Sequence, residues 1–407
     1  MAMIEGLNRI RQENQTGISS FTLEGILLGV FQFSVFFPFV SPVPIQSDVQ
    51  PLGGLLAGVI LALRFLSKKL VVEKRNLFLL LYTFLLLCFI NPFGGFEIDY
   101  GKYLSMLYGM VLLLVFTSEF EIKANFFFLS ILIYAGFTVG LLAMPNLFFN
   151  IQDMLIRNTN SVDFLGYRGI STLSTEPGLF GGLLVAFAMI NDHLKSHNKL
   201  SNVKFFLLHI LILFMILLTK SGTGYLYYVV FLGFKLFDNK IPFIQRVSGF
   251  SLVVILTVLL VIYLGSLGLN LGRGIDIIMK LSEGSSGGLG NDSSILYRLS
   301  GFYVSFLVMS VYPFGVGFGD VETTAQEFVY ESEFLFSLLG NEQVHFTSAF
   351  SYTVMGAGLL AVGLFFSIFL LTKAKTKHKA FAFIFMFFSY SLAFPMIWLL
   401  LSLKKKK

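Results

Sequence analysis

The chain has 407 residues, of which 56% are hydrophobic and only 13% charged, where an ordinary soluble domain is about a quarter charged. Its single cysteine, Cys88, lies inside an apolar run, so an intrachain disulfide and a thiolate metal cluster are both excluded. The net charge of +6 would suit a nucleic-acid partner, but its distribution along the chain, set out below, points to a membrane instead, and no nucleic acid is expected.

The first 20 residues are polar and contain no apolar core segment, so no cleavable signal peptide is expected. Apolar runs then fall near 21–40, 52–67, 77–91, 103–117, 125–144, 177–191, 204–219, 222–237, 248–266, 347–371 and 380–403. Runs of this length predict an all-α, polytopic membrane protein with roughly eleven or twelve transmembrane helices. The mean hydropathy of +0.80 agrees with that. No Walker-type phosphate loop is present, which argues against ATP-driven transport by this chain alone.

With the N-terminus placed inside, 22 lysines and arginines fall on the cytoplasmic side and 7 outside. That asymmetry sets the orientation by the positive-inside rule. The last apolar run starts from an inside loop and ends in Lys404–Lys407, which also belong inside. A run of this length cannot cross twice at about 20 residues per helix. A hairpin of two short helices turning near Pro395 is the expected solution.

Two outside loops are long, 145–176 and 267–346. The second is the large periplasmic loop, and a loop this long in a chain otherwise almost all membrane is the expected seat of chemistry. It opens with Gly284-Ser285-Ser286-Gly287-Gly288-Leu289-Gly290, which has linker composition. From Ser294 to Met309 the apolar residues Leu296, Leu299, Phe302 and Phe306 have helical spacing. This predicts an interfacial helix packed on the membrane domain. Pro313 ends it. The glycines of Pro313-Phe314-Gly315-Val316-Gly317-Phe318-Gly319 predict tight backbone turns. A further helix is expected around 322–339. No internal repeat is evident, which weighs against transporter folds built from repeats.

Four groups of residues are candidates for chemistry. In Tyr167-Arg168-Gly169-Ile170-Ser171-Thr172-Leu173-Ser174-Thr175-Glu176-Pro177-Gly178, Pro177 fits a first helical turn and Thr175 is a candidate cap. Glu176 then sits at a helix N-terminus near the outer membrane boundary. It either complements the helix dipole or acts as a functional carboxylate. In Leu218-Thr219-Lys220-Ser221-Gly222-Thr223-Gly224, a tight outer turn joins two helices. Lys220 and the first amides of the following helix make a candidate anion-binding corner, or else an ordinary polar hairpin.

Arg298, beside Tyr297 on the interfacial helix, and Arg273 before it belong to the scarce outside arginines. Such residues suit phosphate at any pH, or snorkel at the surface. His345 is the only outside histidine and opens an apolar helix with Gly356, Gly358 and Gly363. No second histidine stands near it and no HExxH pattern occurs, so no metal site and no cofactor are expected.

The order and spacing of these pieces over roughly residues 160–375 resemble the bacterial Wzy-type O-antigen polymerases and O-antigen ligases. The resemblance is carried by Arg168, Gly169, Glu176 and Pro177, by the Thr219–Gly224 turn, by Arg298 through Gly319, and by His345 opening a Gly-rich helix. Phe302 stands where Trp is common, and Phe346 stands where Asn is common in the ligases, which points toward the polymerase side. The resemblance implies a metal-independent, GT-C-like membrane glycosyltransferase at the periplasmic face. Its substrates would be oligosaccharides on undecaprenyl pyrophosphate, and a chain-length regulator protein is the partner it implies. Arg168, Arg298 and Lys220, with Arg273 and Tyr297 beside them, would hold pyrophosphate or glycan. His345 or Glu176 would take the acceptor proton, with His345 favoured by analogy with the ligases. An O-antigen ligase and a polysaccharide transporter are the competing readings.

Overall fold

A computed structural model describes residues 23–41, 49–93, 100–118, 120–156, 169–236, 293–319, 321–339, 346, 348–388 and 391–403. Among these residues the chain is all helical, with no strand. In chain order the helices are α1 Leu23–Phe36, α2 Leu52–Leu66, α3 Lys74–Phe93, α4 Tyr100–Thr117, α5 Ala124–Ala143, α6 Pro145–Leu155, α7 Pro177–Ser196 and α8 Asn202–Leu218. They continue with α9 Gly222–Leu236, α10 Ser293–Val311, α11 Val321–Glu331, α12 Glu333–Leu339, α13 Ala349–Leu371, α14 Thr376–Phe388 and α15 Pro395–Ser402.

Three of them, α5, α7 and α13, are long and apolar enough to cross a membrane. Parts of α1, α2, α4, α8 and α10 are shorter apolar helices. Exposed large apolar side chains such as Phe65, Phe84, Leu129, Phe206 and Phe366 lie on the outside of the bundle, the surface a lipid environment requires. The apolar run 248–266 lies outside the described residues.

Helix α7 is the hub. From Phe180 to Asn191 every residue is buried, and α8, α9 and α15 pack against it. The many phenylalanines find their use here: Phe187 meets Phe36, Phe127 and Tyr134 at ring separations of 5.7 to 5.9 Å. Edge-to-face contacts of this kind add to packing where lipid tails supply no hydrophobic drive.

One end of the bundle is tied by ion pairs and polar contacts. Arg64 Nε meets Glu24 Oε1 at 2.9 Å and its guanidinium also donates to Ser118. Asn76 donates to Thr117 Oγ1 at 2.7 Å. Glu73 pairs with Lys373, Glu121 with Lys199, and Asp192 with Lys235. These contacts join the start of α1 and α3 to the C-terminal ends of α2, α4, α7, α9 and α13. All of those ends are ones that the basic-residue distribution groups together.

The C-terminal region forms the expected hairpin of short helices. α14 has 13 residues and α15 only 8, about 12 Å of helix at 1.5 Å per residue. Trp398 of α15 is fully buried and donates Nε1–H to the Leu392 carbonyl at 2.6 Å. It fits because Gly109 of α4 has no side chain: a Cβ there would stand 2.4 Å from the indole.

The predicted long loop 145–176 is not all loop. Its first part is α6, started by Pro145 at the first helical turn. The predicted helix 322–339 is two helices, α11 and α12, parted at Ser332.

Candidate functional site

The stretch before α7 is buried although it has no regular structure. Ile170, Ser171, Thr172, Leu173 and Ser174 are all at most 8% exposed. Buried irregular backbone must find partners for its amides and carbonyls. Ile170 N–H donates to the Leu218 carbonyl at 3.0 Å, and Ser174 N–H to the Ser171 carbonyl at 3.0 Å. Thr172 lies in the left-handed region at φ +51°, and its hydroxyl is 3.1 Å from that of Thr138 on α5. A β-branched residue in that region is strained and must be held there.

The same stretch docks on the end of α8. A Cβ at Gly169 would lie 2.1 Å from the Thr219 carbonyl oxygen, so only glycine allows this approach. Glu176 is the N-cap residue of α7, with extended backbone and no side-chain cap, and Pro177 is the first helical residue. Thr175, named above as a candidate cap, is therefore one position too early. The Glu176 side chain is exposed, and no described residue pairs with its carboxylate.

The turn between α8 and α9 is as tight as expected, Thr219 to Ser221. The buried Thr219 hydroxyl donates to the Ile216 carbonyl at 2.7 Å and accepts Ser221 N–H at 3.3 Å. Ser221 Oγ accepts Gly224 N–H at 3.4 Å and caps α9. Lys220 between them sits at φ +47° and is half-buried. Its ammonium has no partner among the described residues.

Two motifs that are far apart in sequence thus meet. Helices α7 and α9 run side by side from the same end. Gly178 faces the Ser221 and Thr223 hydroxyls, and a Cβ on Gly181 would be 2.7 Å from the Gly224 Cα. Both helix N-termini open at one place, with Glu176 at one and Lys220 at the other. Aligned peptide dipoles make each N-terminus electropositive. The corner can attract an anion and offers a carboxylate beside it.

The other two motifs form a second pair. Tyr297 and Arg298 lie on the backbone of α10, and their side chains are outside the described residues. One turn further, Gly301 faces the ring of Phe346, the neighbour of His345. The rings of Phe302 and Phe350 are 6.0 Å apart and Leu359 N–H reaches the Pro313 carbonyl just past the end of α10, so α10 and α13 run in the same direction from one end. That end is opposite to the ion-paired ends of α13 and α7, and is the one at which α7 and α9 open. His345, Arg168 and Arg273 lie outside the described residues.

The Pro313–Gly319 segment fills a break in α13. Gly358 interrupts that helix at φ +56° and ψ −135°. Val316 N–H donates to the Met355 carbonyl at 3.1 Å and Gly317 N–H to the Gly356 carbonyl at 3.0 Å. Leu359 N–H donates back to the Pro313 carbonyl at 2.8 Å. The strap thus satisfies two carbonyls and one amide at the break, as an apolar environment demands. Gly315 and Gly317 turn at φ +81° and +83°, which bears out the expected tight turns.

Gln152, on α6, also reaches the buried stretch, and neither it nor Thr172 stood out in the sequence. The signal that would have found α6 was Pro145 followed by the helical spacing of Leu147, Phe148, Ile151 and Leu155. No group of histidines, cysteines or carboxylates suited to a metal ion occurs among the described residues. No family model matches the chain, and no curated protein is significantly similar to it.

Proposed function

We propose that this protein is an O-antigen-type polysaccharide polymerase of the inner membrane. It would join oligosaccharides carried on undecaprenyl pyrophosphate at the periplasmic face. In this reading the chain crosses the membrane roughly eleven or twelve times, with its ion-paired, lysine-rich ends in the cytoplasm. The observation that carries the reading is the meeting of the Gly169–Glu176 stretch with the Lys220 turn at two adjacent helix N-termini. A pyrophosphate leaving group needs fixed positive potential at the membrane surface, and this corner supplies it without a metal.

In the reaction, a hydroxyl of the acceptor sugar attacks the anomeric carbon of the donor glycan. The new glycosidic C–O bond forms as the anomeric C–O bond to pyrophosphate breaks. The electron pair leaves with undecaprenyl pyrophosphate, and the hydroxyl proton passes to His345 or Glu176. Arg168, Arg298 and Lys220 hold the departing negative charge, with the N-termini of α7 and α9 adding their dipoles. Arg273 and Tyr297 bind the glycan. A chain-length regulator protein would act on the product distribution.

A lipopolysaccharide ladder on a gel tests this. A strain lacking the gene is complemented with wild type, Arg298→Ala or His345→Ala. Core bearing one repeat unit in the deletion strain, with the ladder restored by wild type alone, supports the polymerase. Bare core with accumulated lipid-linked polymer makes the protein a ligase. Absence of any periplasmic repeat unit makes it a transporter.

A further inference from the structure

We infer that Gln152 is a positioning residue, which pins the strained stretch before α7 and thereby sets the place of Gly169 and Glu176 at the anion corner. Helix α6 is amphipathic: Phe148, Phe149, Ile151 and Leu155 lie half-buried against the core, while Leu147 and Met154 are exposed. The one fully buried residue of α6 is Gln152, at 1% exposure. An amphipathic helix seated for packing alone would bury an apolar residue there.

Gln152 spends both amide hydrogens on the stretch. Nε2 donates to Ser171 Oγ at 2.9 Å and to the Thr172 carbonyl at 2.6 Å. The second contact fixes the peptide that follows Thr172, the residue held at φ +51°. Oε1 is buried and has no partner among the described residues. The side chain is thus placed for donation, and the orientation of its amide follows from the carbonyl at Thr172, which can only accept.

Three elements therefore converge on three residues. The α8 end holds Ile170, α5 holds the Thr172 hydroxyl, and α6 holds Ser171 and the Thr172 carbonyl. Of these, only Gln152 acts on the strained backbone itself. Without it, Thr172 relaxes toward negative φ, and the chain between Gly169 and Glu176 shifts. The effect on catalysis rests on the function proposed above. The effect on the stretch does not.

Two readouts keep these apart. In a Cys88→Ser background, Thr175→Cys reports the stretch through its rate of modification by a polar thiol reagent in purified protein. Gln152→Met keeps the volume and removes both donors, and Gln152→Glu sets oxygens against the Thr172 carbonyl. Both are expected to speed modification and to cut polymer formation by about tenfold or more, as displacement of a reacting group by about 1 Å does. Adding Thr172→Gly to Gln152→Met is expected to restore both, because glycine adopts positive φ without strain.

Lost core packing would not be rescued in this way. Should Gln152→Met fail to reach the membrane, Ser171→Ala removes one acceptor without changing the core and is expected to speed modification partway. Modification at the wild-type rate in these variants, or no rescue by glycine, overturns the inference. Altered and rescued modification with an unaltered ladder keeps the pin and removes the stretch from the reaction, while loss of the ladder in the deletion strain tests the proposed function separately.

Discussion

Gly169→Ala is the sharpest single perturbation of the site. A Cβ there would meet the Thr219 carbonyl oxygen at 2.1 Å, its carbon at 2.2 Å and the Leu218 carbonyl oxygen at 2.7 Å. All three are backbone atoms at a helix end, so no side chain can swing aside. The stretch must lift by about 1 Å to regain ordinary contact. That breaks the Ile170 N–H to Leu218 bond of 3.0 Å, a loss of about 1 kcal/mol. The larger consequence is geometric: a shift of about 1 Å at a reacting centre costs on the order of 10²-fold in rate. The expected result is a protein that inserts and folds, melts a few degrees lower, and makes about a hundredth of the wild-type polymer. Gly136→Ala is the control, since a Cβ at Gly136 meets nothing within 4 Å. Polymer is quantified from the gel ladder and folding from a thermal scan in detergent. If Gly169→Ala keeps a third or more of the activity while Gly136→Ala behaves as expected, the docking of the stretch on the α8 end does not serve the reaction.

Gly358→Ala should be destabilising by at least about 2 kcal/mol, because the position has φ +56° and a Cβ would stand 2.0 Å from the Pro313 carbonyl; thermal unfolding checks it. Arg64→Ala removes the partners of Glu24 and Ser118; Glu24 is 32% exposed on its side chain, so the loss should be about 1–3 kcal/mol and below that of a fully buried pair. Lys220→Gly relieves the strain of φ +47° and should raise stability by roughly 1 kcal/mol while lowering polymer output. Lys220→Arg should keep most of that output, and equal output from the glycine variant would show that the charge is idle. Gly181→Ala should push α7 and α9 apart, since its Cβ would meet the Gly224 Cα at 2.7 Å; KM for the lipid-linked donor should rise more than kcat falls.

Much of this architecture could be read from hydropathy. The apolar runs at 52–67, 103–117, 125–144 and 347–371 match α2, α4, α5 and α13 within a few residues, because a helix in an apolar medium must satisfy its own backbone and shows as one continuous run. The α14–α15 hairpin was favoured by charge: a single crossing of that run would have put Lys404–Lys407 outside. What stayed hidden was everything set by contact between distant segments. Gly169 carried part of the family resemblance, but its reason, the close approach to the α8 end, shows only once α8 is placed beside it. Gln152 looked like a surface residue of a polar loop, since its burial depends on a stretch twenty residues further on. The three glycines of α13 serve different contacts. Gly358 breaks the helix, Gly356 makes room for Phe318, and Gly363 lets Tyr82 of α3 approach closely. Composition announces that glycine is needed there, but only the fold tells for what.

The meeting of the two motifs at α7 and α9 divides into a part that connectivity dictates and a part that it does not. α7, α8 and α9 are consecutive helices of 20, 17 and 15 residues joined by short turns. Short connections make neighbours antiparallel, so the first and third helices must begin at the same end. Glu176 and Lys220, each at the start of one of them, are therefore on one face of the bundle by chain order alone. Sharing a face is not yet sharing a site. Helices separated by ordinary side chains stand about 8–10 Å apart, and a helix dipole acts mainly within its first turn. Two N-termini at that spacing would offer two weak anion sites. The contact of Gly181 with Gly224, backbone on backbone, closes the gap and lets both act on one charge. Gly178 keeps the entrance open toward the Ser221 and Thr223 hydroxyls. The spacing from Glu176 to Gly181 and from Lys220 to Gly224 is about one helical turn in each case, so the seam lies directly below the two charged residues. It is the seam, more than either charged residue, that brings the two helix N-termini into one corner, the feature on which the proposed diphosphate site depends.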